Sequence, residues 1–273
     1  MQINGKVFAI TGAGNGMGRE VALQLVEKGG RVAALDLSEA GLAETVRLAG
    51  AKGDAISTHV VDITDRAQVA ALPAAIIAAH GQVDALLNIA GIIQRFVPVA
   101  QLDFDQIERV VNVNLWGTIN TIKAFLPELV QRPDAALVTV ASMGAYAPVP
   151  GQSVYGATKA AVAQLSRSLH SELMGTKVAV TGVFPGAIGT NIAANSGVMT
   201  AAEMEAMAAK AGDGKQRKTT SPQEAGRQIV EAIERGSYEI FIGQDATFMS
   251  RLSRLSPKRA AALIHSQMKD LLG

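Results

Sequence analysis

The sequence predicts an open, doubly wound α/β fold, a seven-stranded parallel sheet flanked by helices. Short apolar runs rich in Val, Ile and Ala alternate with longer stretches of helical period. A glycine-rich turn joins the first run to the first helical stretch, and an aspartate closes the second run. Strands that are apolar throughout suit a parallel sheet, because helices cover both of its faces.

The elements follow in chain order. Polar Met1 to Gly5 has no signal-peptide pattern and leads into a strand predicted over 7–11, then a helix over 17–28. The next pairs are strand 32–36 with helix 39–49, strand 55–60 with helix 66–79, and strand 83–88 with helix 104–130. Strand 136–141 precedes helix 154–174, strand 178–184 precedes helix 222–234, and strand 239–242 comes last. The long connection 186–214, rich in Ala, Met and Gly, leaves a strand at the carboxyl edge of the sheet and reads as a lid. After Gln244, leucines at 252, 255, 263, 271 and 272 with basic residues between them predict one or two amphipathic helices broken at Pro257. These are expected to dock on a subunit or on the sheet. No linker or repeat interrupts the alternation, so residues 1–273 are read as one domain of Rossmann type.

Composition narrows the function. Among 273 residues there is no cysteine, which excludes a disulfide framework, a thiol nucleophile and cysteine-ligated zinc. With 48% apolar residues, 18% charged ones and a mean hydropathy of +0.22, most of the chain must be folded inward. The longest apolar stretch, Val69 to Ala79, contains Pro73 and is too short to span a membrane, so a soluble, cytoplasmic protein is expected. A net charge of +1 and few aromatics give no support for nucleic-acid binding. The four histidines are scattered, none in an H-E-x-x-H pattern, and no metal is expected. From Gly214 onward 10 basic residues face 6 acidic ones, but no run of five like charges occurs, so this excess reads as solvated helix faces.

Two local patterns point to a dinucleotide. Thr11-Gly12-Ala13-Gly14-Asn15-Gly16-Met17-Gly18 joins the first strand to the first helix. Glycines let the backbone turn tightly and approach a ligand, and the helix N-terminus offers amides to a pyrophosphate. Asp36 lies 18 residues beyond Gly18 at a strand end. Its carboxylate suits the two hydroxyls of an adenosine ribose and repels a 2′-phosphate. Neither Asn15 nor Leu37 supplies a compensating cation, and Arg19 opens the helix, so NAD is expected rather than NADP.

The chemistry is carried by Tyr155 and Lys159, which an i,i+4 spacing puts on one helix face. A free phenol has a pKa of about 10, and a fixed positive charge beside it stabilises the phenolate, which suits an acid/base for an alcohol proton. Ser142, 13 residues earlier, follows the fifth strand at the carboxyl edge, where its hydroxyl can meet a substrate oxygen. No G-x-S-x-G elbow surrounds it, which argues against hydrolysis. Asn114 lies within an apolar helix, either as a core hydrogen bonder or in a relay.

Together these residues resemble the short-chain dehydrogenase/reductase family across nearly the whole chain. The T-G-x-x-x-G-x-G loop matches Thr11 to Gly18. The Asn-Ala-Gly motif matches Asn88, Ala90 and Gly91, with Ile89 where a second Asn is commoner, and Pro-Gly matches Pro185-Gly186. The resemblance implies a catalytic set of Asn114, Ser142, Tyr155 and Lys159. Tyr155 exchanges the proton, Lys159 assists it and holds the nicotinamide ribose, Ser142 polarises the carbonyl, and Asn114 positions a water leading to Lys159. It further implies an NAD site that includes Gly12, Asn15, Gly16, Met17, Gly18 and Asp36, with Asp62 and Ile63 at the adenine. Asn88, Ala90 and Gly91 line the cleft, followed by Pro185 and Gly186, and Ile188 and Thr190 hold the carboxamide. A homotetramer or homodimer built on the long helices is implied as well.

Similar proteins form the substrate pocket from the loop after strand four, the segment between the serine and the tyrosine, and the lid. Here Ser142, Gly144, Gln152 and Tyr155 are the substrate candidates. Ile92, Ile93, Phe96, Met143, Met199, Met204 and Met207 suggest an apolar, adaptable pocket. The expected reaction is NAD-dependent interconversion of a medium-sized apolar secondary alcohol, such as a ring alcohol, a steroid-like compound or a long-chain hydroxy compound, and its ketone. The alternatives are an NADP-linked 3-oxoacyl reductase, which Asp36 opposes, and a non-catalytic NAD-binding scaffold or sensor, which the complete catalytic set opposes.

Overall fold

A computed structural model describes residues 1–190, 192–198 and 219–268. Seven parallel strands form one sheet: β1 (Val7–Thr11), β2 (Arg31–Asp36), β3 (Ile56–Val60), β4 (Ala85–Asn88), β5 (Ala135–Val140), β6 (Val178–Pro185) and β7 (Glu239–Ile242). Their order is β3-β2-β1-β4-β5-β6-β7, so the direction of winding reverses between β1 and β4. There the carboxyl ends of two neighbouring strands, registered at Thr11 and Asn88, open into a crevice.

Helices α1 (Gly16–Glu27), α2 (Glu39–Ala49) and α3 (Arg66–His80) begin at side chains that accept the first free amides: Asn15, Ser38 and Asp65. Phe8, Ile10, Val32 and Leu87 face one helical layer; Val7, Leu35, Leu86 and Leu137 face the other. Alternation along each strand thus divides one sheet between two cores.

The predicted strand over 83–88 begins at Ala85 instead. Asp84, fully buried, accepts from the Val7 amide (2.9 Å) and from Arg132 Nε (2.9 Å), so its carboxylate takes the place of a ladder partner. The predicted helix over 104–130 also differs. It is α4 (Phe104–Val111), a π-helical turn at Asn112–Trp116, and α5 (Gly117–Leu129). The Thr118 hydroxyl donates to the Asn114 carbonyl (2.8 Å), one turn back across the junction.

The remaining helices are α6 (Ser153–Glu172), the single turn α7 (Ile192–Asn195), α8 (Pro222–Arg235), α9 (Gln244–Leu255) and α10 (Pro257–Met268). The tail breaks at Pro257 as expected, but its seat is more specific than a sheet or a subunit. Met249, Leu252, Ala260, Leu263 and Ile264 pack on Met143, Tyr146, Ala147 and Val149, the segment that follows β5. Leu255 is exposed, while Leu271 and Leu272 lie outside the described residues. Among the described residues no helix is long and apolar enough to cross a membrane.

Candidate active site

At the reversal of strand order the glycines of the loop are dictated by contact. Gly12 has φ +73°, and a methyl group there would lie 3.0 Å from the Ala90 backbone, so the turns after β1 and β4 touch. A methyl group on Gly18 would overlap the Gly12 carbonyl oxygen. At the start of α1, Asn15 Oδ1 accepts from Gly16 N (2.7 Å) and the Asn15 carbonyl accepts from Arg19 N (3.2 Å). Of the four amides that a helix leaves free, those of Met17 and Gly18 remain at its positive end. That donor pair fits a pyrophosphate.

Asp36 stands beside this loop with one oxygen accepting from Gly14 N and the other from Ser38 N, both at 2.9 Å. A carboxylate has about four acceptor sites, so an oriented face stays open to ribose hydroxyls. Arg19 is used elsewhere: it donates to the carbonyls of Gly14 and Gly41 and to the Thr45 hydroxyl. The guanidinium is a strut between the loop and α2. The residues present thus fit the adenosine ribose of a dinucleotide.

Other expected cofactor residues contribute differently from one another. Asp62 Oδ1 is fixed by the amide and hydroxyl of Thr64 (2.8 Å each). The Ile63 side chain turns into the core against Gly117, which leaves only its backbone for a base. Asn88 is 4% exposed, and its Oδ1 accepts from the Thr121 hydroxyl (2.7 Å), so its side chain ties β4 to α5. Thr11 forms the turn in front, its hydroxyl oxygen accepting from the amides of Ile89 and Ala90. Pro185 ends β6, and Gly186 lies so close to Asp245 that a methyl group has no room. Asp245 Oδ2 accepts from Ala187 N (2.8 Å). Ile188 packs on the core and pairs with Thr220, while Thr190 lies against Gly16.

Four polar residues converge at the carboxyl edge beyond β5. Ser142 Oγ accepts from Gly144 N (3.0 Å), and Ser142 Oγ and the Tyr155 ring both face Gly144. Lys159, 4% exposed, donates from Nζ to the Val140 carbonyl (2.9 Å), with Nζ 6.0 Å from the Tyr155 ring centre. Gly91 faces both Lys159 Nζ and Asn114 Oδ1, where a side chain would intrude. Asn114, fully buried, uses its amide on both backbone groups of Ile92 (2.9 Å each) and on Thr158 (3.1 Å). Of the two readings open to this asparagine, its side chain serves the first: it pins the loop after β4.

Burial pushes the Tyr155 phenol above its usual value, opposed by the Ser142 hydroxyl. Burial also pushes the Lys159 ammonium down to about 8. Two charged forms that a solvated pair would populate are both held back by desolvation.

On the substrate side, Gly144 lies against Ser142 and Tyr155. Gln152 is 4% exposed, and its Nε2 donates to the Gln94 carbonyl (2.7 Å). Met143 packs under the C-terminal helices, and Ile93 is buried. Met199, Met204 and Met207 lie outside the described residues. Three residues here were not singled out from the sequence: Asp245 under the Pro-Gly turn, Ser196 behind Ile93, and Gln94 in the loop after β4. Each acts across 58 or more positions of chain, and no local pattern marks it.

Comparison with known proteins gives a consistent result. Residues 6–201 match the family model described as short chain dehydrogenase. A Mycobacterium tuberculosis protein named as oxidoreductase SadH is 36% identical over 253 residues, covering 92% of this chain and 91% of that protein. The 3-oxoacyl-[acyl-carrier-protein] reductase FabG of Thermotoga maritima is 32% identical over 190 residues, 70% of this chain and 77% of that one. Among solved structures, a short chain dehydrogenase/reductase from Burkholderia phymatum in complex with NAD superposes with a TM-score of 0.82. It is 26% identical, with 96% of this chain and 97% of that one covered.

Proposed function

The chain belongs to the short-chain dehydrogenase/reductase family of oxidoreductases, and from that membership we propose that it interconverts a secondary alcohol and a ketone with NAD, Tyr155 serving as the acid/base. The observation that carries this reading is the convergence of Ser142, Tyr155 and a buried Lys159 around the Gly91 and Gly144 turns.

When bound, NAD supplies the hydride acceptor and, in its oxidised form, a positive charge. Tyr155 takes the hydroxyl proton of the alcohol as a phenolate, and returns a proton to the ketone oxygen in the other direction. Ser142 holds that oxygen through a second hydrogen bond. Lys159 favours the phenolate: a charge 6.0 Å from the ring is worth about 3 kcal/mol at an effective dielectric of ~20, roughly two pH units. Asn114 keeps the Ile92 loop from collapsing onto Lys159. The amides of Met17 and Gly18 take the pyrophosphate, and Asp36 the adenosine ribose. The substrate is read as apolar, since Met143 and the helices that pack on it wall that side. A homo-oligomer is part of the proposal, supported by Phe104 and Trp116, which stay exposed on α4 and the π turn.

Cofactor choice tests the Asp36 role directly. In the double variant Asp36→Ala, Leu37→Arg, the ratio of kcat/KM for NADP to that for NAD is expected to rise about 100-fold. One charge-assisted hydrogen bond is lost and one cation is gained. An unchanged ratio contradicts the assignment.

A further inference from the structure

Three consecutive residues after β4 are each fixed by a different wall of the site. Asn114 holds both backbone groups of Ile92. Ser196, just beyond α7, accepts from Ile93 N (2.9 Å). Gln94, 2% exposed, reaches the start of α6. Gln152, the residue before that helix, caps nothing with its side chain. The capping acceptor comes from Gln94 instead: its Oε1 accepts from both Val154 N and Tyr155 N at 2.9 Å. Gln94 Nε2 donates to the Gly151 carbonyl (2.9 Å), and the Gln94 carbonyl accepts from Gln152 Nε2 (2.7 Å).

We propose that Gln94 is a positioning residue for Tyr155. The inference rests on the reading of Tyr155 as the acid/base. Tyr155 is the third residue of α6, so its backbone belongs to the turn that a missing cap loosens first. Lys159 lies one turn deeper, and Ser142 is anchored at the end of β5. Loosening the first turn therefore moves the phenol relative to two partners that stay in place. A misplacement of ~1 Å in such a set costs roughly 100-fold in rate. Gln94 is 57 to 61 residues from its partners, so the loop after β4 sets the geometry of a residue it does not adjoin in sequence.

The test uses the full-length protein with NAD bound, in three forms: wild type, Gln94→Met, which keeps the shape and removes the amide, and Gln94→Glu, which keeps an acceptor for the two amides. The chain has three tyrosines, so 13C-labelled Tyr155 is assigned by comparison with Tyr155→Phe. In Gln94→Met the Tyr155 resonance and its titration midpoint are expected to move from their wild-type values. Its kcat is expected to drop roughly 10- to 100-fold, with NAD affinity within about threefold of wild type because the pyrophosphate and ribose contacts are untouched. Gln94→Glu is expected to recover most of the loss. An unmoved Tyr155 titration in an NAD-binding Gln94→Met protein overturns the proposal, as does an equal loss in Gln94→Glu. If Gln94→Met does not fold, Gln94→Asn, too short to reach, gives the same readouts. The titration needs no turnover: a wild type inactive on every alcohol would sink the dehydrogenase reading, while the resonance still decides the role of Gln94.

Discussion

Lys159→Met is expected to abolish turnover and, in the same protein, to raise stability at neutral pH. The rate loss follows from the acidity of Tyr155. Removing the ammonium forfeits about two pH units of phenolate stabilisation, on the order of 100-fold, and any hold on the ribose adds to that. The stability gain follows from burial. The Lys159 ammonium has a folded-state pKa of about 8, against about 10.4 in the unfolded chain. Between those values the unfolded state binds more protons, so folding stability rises with pH across that window. At pH 7 the lysine therefore costs about 3 kcal/mol relative to an unperturbed one, falling to about 1 kcal/mol near pH 9.5. Methionine matches the lysine stem and carries no charge, though it leaves the Val140 carbonyl without its donor, which returns about 1 kcal/mol. Thermal melts of the NAD-free proteins at the two pH values check this. The variant should melt higher at pH 7, and the gap should shrink at pH 9.5. A variant that melts lower at pH 7 contradicts the burial account of this site.

Gly18→Ala is expected to be among the most damaging single-methyl additions in the chain. In an ordinary helix the change favours folding by about 1 kcal/mol. Here the new methyl overlaps the Gly12 carbonyl oxygen, which is backbone and cannot swing aside. The loop must shift, at a cost of about 3 kcal/mol, and the amides of Met17 and Gly18 shift with it. NAD affinity should fall by roughly 100-fold or more, the equivalent of about 3 kcal/mol. Gly5→Ala is the control: nothing lies within 4 Å of its added methyl, and only the φ of +75° opposes it. It should cost about 1 kcal/mol and leave NAD binding unchanged. Calorimetric titration with NAD separates the two. Near-wild-type affinity in Gly18→Ala contradicts the close-contact reading of the loop.

What the sequence revealed and what it withheld divide along chain distance. The phosphate loop, Asp36 and the Tyr155–Lys159 pair were legible because each is a local pattern of backbone freedom, strand end or helix face. The doubly wound parallel sheet followed from the same patterns, since apolar runs linked by helices permit few arrangements. The role of Asn114 was left between two readings because an asparagine in a helical pattern looks alike whether the turn is α or π. Only the structure shows its amide spent on Ile92. Gln94 stood between Ile93 and Arg95 with nothing to mark it, because its partners at Gly151 to Tyr155 are contiguous only in space. The seat of the tail on Met143 to Val149 was hidden for the same reason. The pairing of Tyr155 with Lys159 was visible in the spacing, whereas the burial that raises the phenol was not.

The most direct test of the whole account is NADH formation across a panel of apolar secondary alcohols, with wild type run beside Tyr155→Phe. Loss of the phenolic oxygen removes the acid/base, a contribution of about 10²- to 10⁴-fold, without touching the amides of Met17 and Gly18 or the carboxylate of Asp36. The account predicts turnover in the wild type that falls by about that factor in Tyr155→Phe, while calorimetry shows NAD still binding to the variant. Comparable turnover in both proteins would contradict it.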